Sequence, residues 1–240
     1  MNPAHYSAAL RREGAKLADS AASDLSLPVP SCPEWNVADL VWHTGEVHCF
    51  WRSIASGEID GPDGYVEPQR PHDSALVEWF GAGVEETASV LERLDPATPM
   101  WTWAAQQDAA FIQRRMAQET AVHCWDALAA AGRPEPVERS LAADGIEEFL
   151  EFMLTAGPPS QDERDGAVRL AATDHTGRWS ARCDDGAWRA APPSGTGDAA
   201  VEATASDLLL LLWRRIDADA VRVQGDRAVL HRFLAAADLD

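Results

Sequence analysis

The hydrophobic period of this chain changes once along its length, and that change limits the folds open to it. Up to about Thr155, apolar residues recur at spacings of three and four in segments parted by Pro- and Gly-rich breaks; beyond the stretch GPPSQDERDG they form short runs of strand character. The expectation is a mainly α protein with an α+β part: a helical domain over residues 1–156, a Pro-, Gly- and charge-rich linker, and a small α+β domain over 166–240.

Within the first half, a helix is expected from about Pro3 to Ala22, stopped by SLPVPSCPEW with its three prolines. A second starts at Asn36, a good N-cap, and runs past Trp51; the polar stretch Gly57 to Pro71 reads as a surface loop. A third, from about Asp73 to Leu94, places Leu76, Phe80, Val84 and Leu91 on one face. A fourth, from about Ala109 to Ala131, ends at Gly132 and Pro134, and four helices of such length suggest a bundle. A fifth is expected from about Leu141 to Thr155. In the second half VRLAATD, RWSARCD and AWRAAP read as an antiparallel meander with HTG and DDG turns. VEATAS adds a strand, SDLLLLLWRR a buried helix capped by Ser206, AVRVQ a last strand, and a final helix starts near Asp226.

Charge excludes some partners. With 39 acidic against 20 basic residues the formal charge is −19, so a phosphate backbone or an anionic membrane surface is repelled, and the basic residues are scattered. The longest apolar run, Leu208 to Trp213, is too short to span a bilayer, and MNPAHYSAALRREG lacks the apolar stretch of a signal peptide. The four cysteines form no CxxC pair, which fits free thiols in a reducing compartment. A cytoplasmic protein acting on small molecules is the expectation; the oligomeric state is left open.

The chemistry-bearing residues lie on the second and fourth helices. Leu40, His43, Val47, Phe50 and Ile54 share one stripe, which points His43 inward; His48 and Glu46 fall off that stripe and are expected to face solvent. On the fourth helix Ile112, Met116, Glu119, His123 and Ala127 recur the same way, so a carboxylate and an imidazole stand one turn apart on a buried face. Taken alone, His43 reads first as a satisfied core histidine, and a buried ion pair explains Glu119 and His123 as well as a metal does. Together they offer one oxygen and two nitrogens, a set suited to a divalent ion with a position left open. Asp126, one turn beyond His123, is placed to orient that imidazole or else to be a helix-end acid.

These same residues carry a resemblance. CPEWNVADLVWHTGE resembles the "Pro-x-Trp-x-x-x-x-Leu-x-x-His" segment, and RRMAQETAVHCWDAL the "Arg-Met-x-x-Glu-x-x-x-His-x-x-Asp-Ala" segment, of the mycothiol-dependent maleylpyruvate isomerase family; ASDLLLLLWRR followed by VQGDRAVL is similar to its C-terminal signature. The resemblance implies a DinB-like four-helix bundle, a sterol-carrier-like α+β domain, and Zn2+ held by His43, Glu119 and His123. It further implies mycothiol as thiol cosubstrate, activated as a thiolate that attacks a small electrophile, in a cis–trans isomerase of maleylpyruvate type or a thiol S-transferase. Arg215 is the candidate for holding substrate carboxylates, although the family often has Gly where this chain has Arg214. A metal hydrolase using bound water and a non-catalytic ligand-binding or regulatory protein are the alternatives.

Overall fold

Each long helix begins where the sequence supplies a side-chain acceptor for the free backbone N–H groups of its first turn. The computed structural model describes residues 1–154, 164–193, 197–237 and 239. Asn2 caps α1 (Pro3–Ala21), Asn36 and Asp39 form a reciprocal capping box on α2 (Val37–Ser56), His72 caps α3 (Asp73–Glu92), and Asp108 caps α4 (Ala109–Ala130). At the far end of α2, Gly57 adopts a left-handed conformation, φ 78°, which closes the helix without side-chain strain.

These helices form the first of two compact units, Met1–Glu135. α1 packs on α3 and α4, and α2 packs on the same pair. Leu76, Phe80, Val84 and Leu91 of α3 are all buried, as their spacing requires. The inward stripe of α2 differs from the expected one. Its buried face is Val37, Leu40, Val41, Thr44, Gly45, His48, Trp51, Ile54 and Ala55, whereas His43, Val47 and Phe50 are half-buried. Small polar positions turned inward account for the rotation: Thr44 satisfies its hydroxyl on the Leu40 carbonyl at 2.8 Å, and Gly45 leaves room for the Trp79 ring. His48, expected to face solvent, is therefore fully buried.

The second unit is Pro136–Asp240. The fifth helix, α5 (Arg139–Glu148), continues into one π-helical turn, Phe149–Met153, and packs on α6 (Ala205–Leu212). The contact boundary thus falls between Glu135 and Pro136 and assigns α5 to the second unit, where it packs on α6 and where Phe149, just beyond it, meets the Trp213 ring. The linker expected at 157–166 lies largely outside the described residues.

A five-stranded sheet has the order β3-β2-β1-β4-β5, formed by β1 (Gly166–Ala172), β2 (Arg178–Asp184), β3 (Ala187–Ala191), β4 (Ala199–Ala203) and β5 (Arg222–Gly225). The first three strands are the expected antiparallel meander; β4 joins β1 in parallel, with Val168 opposite Ala199. The last helix, α7 (Arg227–Ala236), packs on β1 and β4. The cap of α6 is Thr204 instead of the expected Ser206: Thr204 has the extended backbone a cap needs, while Ser206 is buried and its hydroxyl accepts from the Val137 N–H at 2.9 Å. Arg214 stands at φ 57°, where glycine is at ease, and its guanidinium donates to the carbonyls of Leu234 and Ala237.

Candidate metal centre

α4 is buried along nearly its whole length, so polar residues on it must find partners within the protein. Four of them, Arg115, Glu119, His123 and Asp126, recur at spacings of four, four and three and therefore share one face. Asp126 is fully buried, Arg115 and His123 nearly so, and the Glu119 side chain is 17% exposed. From α2, His43 reaches the same point.

The geometry is that of two imidazole nitrogens around one carboxylate oxygen. Oε1 of Glu119 lies 3.1 Å from His123 Nε2 and 3.5 Å from His43 Nε2. The ligand atoms of His43, Glu119 and His123 all fall within 4.8 Å of one another, and the two imidazoles meet edge to face with centroids 5.1 Å apart. Two donors bound tetrahedrally at about 2.1 Å would be roughly 3.4 Å apart, so the carboxylate-to-imidazole spacings already match coordination. The donor set of one hard oxygen and two imidazole nitrogens fits zinc and also other divalent ions of the first transition row.

Each donor is held from behind. Arg115 donates to Glu119 Oε2 at 2.9 Å, which directs Oε1 toward the imidazoles. His123 Nδ1 donates to Asp126 Oδ2 at 3.0 Å, and the other Asp126 oxygen accepts from the Ser31 hydroxyl at 2.6 Å. With Nδ1 committed to Asp126, the free lone pair of a neutral His123 lies on Nε2, the atom beside Glu119. Burial alone would raise the Glu119 carboxyl, but His123, His43 and Arg115 outweigh it and hold the group well below the usual carboxylate range. Burial pulls His123 down, whereas Glu119 and Asp126 push it up to about 9.

In the metal-free chain, then, an imidazolium shared with Asp126 and a guanidinium both face Glu119. Sequence reasoning missed Arg115; its signal was a cation one turn before a buried glutamate. Asp126, by contrast, stands where an orienting acceptor would be. Changing Asp126 to Asn replaces that acceptor by a group able to donate, and metal affinity is expected to fall on the order of 10- to 100-fold, as measured by competition with a chelator.

His48 has a different place. Thr120 gives its hydroxyl proton to the Met116 carbonyl at 2.7 Å, so its oxygen accepts from His48 Nε2 at 2.8 Å. Burial lowers His48 to about 3, the ring is neutral, and it stacks on Phe80 as part of the core. Neither His48 nor Glu46 belongs to the ligand cluster. Arg215 follows α6 in the second unit and donates to the Trp213 carbonyl at 2.9 Å; it is not among the residues that the first unit brings together.

The outer side of His43 is covered by Trp35, whose ring centroid is 4.8 Å away and 6.4 Å from that of His123. Beyond it opens a cleft of about 560 Å³ walled by Trp35, Trp42 and His43 and rich in carboxylates.

Comparison with known proteins agrees with both halves of the chain. A family model described as Mycothiol maleylpyruvate isomerase N-terminal domain matches residues 6–128, and one described as MDMPI C-terminal domain matches residues 140–232. The crystal structure of the mycothiol-dependent maleylpyruvate isomerase is similar with a TM-score of 0.66 at 12% identity over 93% of each chain. A histidine-to-alanine mutant of a mycothiol-dependent maleylpyruvate isomerase gives 0.65 with the same identity and coverage. At that identity the likeness shows the fold. Over 80 residues, 33% of the chain, it is 30% identical to the Methyl-CpG-binding domain protein 5/6 homolog sba of Drosophila melanogaster, and it spans about 5% of the length of that protein.

Proposed function

Since the chain belongs to the mycothiol maleylpyruvate isomerase family, we propose that it is a cytoplasmic metal- and thiol-dependent enzyme in which an activated thiolate attacks a small electrophile. The single observation that carries this reading is the convergence of the ligand atoms of His43, Glu119 and His123 to within 4.8 Å of one another, supported from behind by Arg115 and Asp126.

A bound divalent ion, zinc by preference, supplies the charge that keeps a coordinated thiol ionised near neutral pH. The residues of the chain do the rest. His43, Glu119 and His123 would hold the ion and leave a position open to a thiol. Asp126 fixes the tautomer of His123, and Arg115 keeps Glu119 from turning both oxygens inward. Trp35 shields the donors on the solvent side.

Two reaction arms follow from an activated thiolate, here that of mycothiol. In isomerisation a sulfur–carbon bond forms at a cis double bond, the π pair moves into the adjoining carbonyl, the resulting single bond rotates, and expulsion of the thiolate restores the double bond in trans. In transfer the sulfur–carbon bond stays and a leaving group departs with its electron pair, the thiol proton passing to solvent. The arms part at Arg215, the candidate for holding substrate carboxylates. If isomerisation of a dicarboxylate is the reaction, Arg215→Ala lowers kcat/KM on the order of 100-fold with mycothiol affinity unchanged; if transfer to another electrophile is, turnover hardly moves.

The test is calorimetric titration of mycothiol into the zinc-loaded and the chelator-treated protein, alongside metal analysis. Stoichiometric binding that needs the metal supports the reading. Metal without thiol binding would favour the hydrolase alternative, and no stoichiometric metal would favour a non-catalytic binding protein.

Metal binding should also depend on pH in a stated direction. The ordinary histidine value is about 6.5, and His123 in the metal-free chain is raised to about 9. Below that value an incoming ion must displace its proton. Apparent affinity is therefore expected to rise nearly tenfold per pH unit toward 9 and flatten above it, with one proton released per ion in buffers of different ionisation enthalpy. The sign for folding is opposite: protonated His123 contributes stability to the metal-free fold below pH 6.5, and that contribution is lost as pH climbs through about 9.

A further inference from the structure

The cleft that reaches His43 selects by charge. Of the residues that line it, Glu34, Asp39, Glu46 and Glu67 are acidic, and among the described residues neither Lys nor Arg lines it. Asp39 pairs with Arg70 at 2.8 Å, while no ion pair reaches Glu34, Glu46 or Glu67 among the described residues. The remaining wall is aromatic. Trp35 lies against His43, and Trp42 is held by stacking on Trp79 with centroids 5.1 Å apart.

Carboxylates and indole faces attract the same kind of ligand. A ring face is electron-rich and draws a cation, and like-charged carboxylates in a partly enclosed cleft sum their fields and repel an anion. A dicarboxylate entering here meets three negative groups outside any ion pair in the cleft that His43 also lines. An ammonium or guanidinium group meets three partners and two aromatic faces.

We propose that the electrophile received at this cleft carries a positive charge and is not a dicarboxylate. This inference rests on the thiol-dependent reading above and favours its transfer arm, in which Arg215 has no carboxylate to hold.

The test uses three probes of like size that differ in charge and contain no thiol: benzyltrimethylammonium, benzyl alcohol and phenylacetate. Each is titrated into the chelator-treated full-length protein, and the indole N–H resonances of Trp35 and Trp42, assigned with Trp35→Phe and Trp42→Phe variants, report binding. Benzyltrimethylammonium is expected to bind on the order of tenfold more tightly than phenylacetate at low salt, with benzyl alcohol between them, and the gap should close in high salt. Neutralising Glu34, Glu46 and Glu67 together, each to Gln, should close it as well; circular dichroism checks that this variant folds.

Phenylacetate binding as tightly as the ammonium, no shift with any probe, or an ammonium preference that survives the triple variant would overturn the proposal. A separate measurement isolates the reading beneath it. If cobalt-loaded protein shows no sulfur-to-cobalt absorption band with cysteamine, 2-mercaptoethanol or 3-mercaptopropionate, thiol activation fails while the charge preference of the cleft stands. If the band appears and cysteamine does not outbind 3-mercaptopropionate, thiol activation holds and the charge proposal falls.

Discussion

Glu119→Gln is expected to abolish stoichiometric metal binding and to destabilise the metal-free chain by about 3 kcal/mol. One oxygen of this carboxylate faces both imidazoles and the other accepts from Arg115. Glutamine keeps the shape but supplies no charge, so it is a poor ligand for a divalent ion. It also takes from the Arg115 guanidinium, 4% exposed, the carboxylate charge 2.9 Å away. Breaking a buried pair from one side costs far more than the pair itself contributes, because the remaining charge keeps its desolvation penalty. Metal analysis after dialysis and urea unfolding check the two halves of this expectation. Unchanged metal content would remove Glu119 from the ligand set, and an unchanged unfolding midpoint would mean that Arg115 is balanced elsewhere.

Zinc at about a thousand times its dissociation constant should raise the melting temperature of the metal-free protein by on the order of 10 °C. Mass action at that excess contributes roughly 4 kcal/mol, and for a chain of this size each kcal/mol moves the midpoint by about 2–4 °C. The shift should vanish in His43→Ala and in His123→Ala. It should survive in His48→Phe even though that variant loses the bond to Thr120, since His48 belongs to the core and not to the donor cluster. Calorimetric scans of the four proteins with and without zinc decide it. A shift lost in His48→Phe, or kept in His43→Ala, would put the wrong histidine at the centre.

The convergence of His43, Glu119 and His123 was legible in the sequence because two signals coincided. Glu119 and His123 are four residues apart on a helix face that also carries Ile112, Met116 and Ala127, and Asn36 fixed where α2 starts. The rotation of α2 was harder to read. Thr44 and Gly45 count as polar or neutral in any hydrophobic pattern, yet one closes its hydroxyl on its own helix and the other admits the Trp79 ring. That turned His48 inward and left His43 at the edge, where it is 36% exposed and open to the cleft.

Other differences share a cause: local pattern says that a face is buried, not against what. The apolar face of α5 reads equally well as bundle or as second unit, and only its packing on α6 decides. β4 alternates like the meander strands but pairs in parallel with β1. Thr204 and Ser206 offer the same hydroxyl two residues apart, and the backbone at Thr204, φ −64° and ψ 158°, makes it the cap.

Arg115, Glu119, His123 and Asp126 all ride on α4, whereas His43 alone rides on α2. A slide of one helix past the other by a fraction of an ångström would therefore change the reach of one donor and leave the rest of the set in place. An ion held here would keep its two α4 donors if an incoming molecule took the place of His43, so exchange would need no release to bulk water.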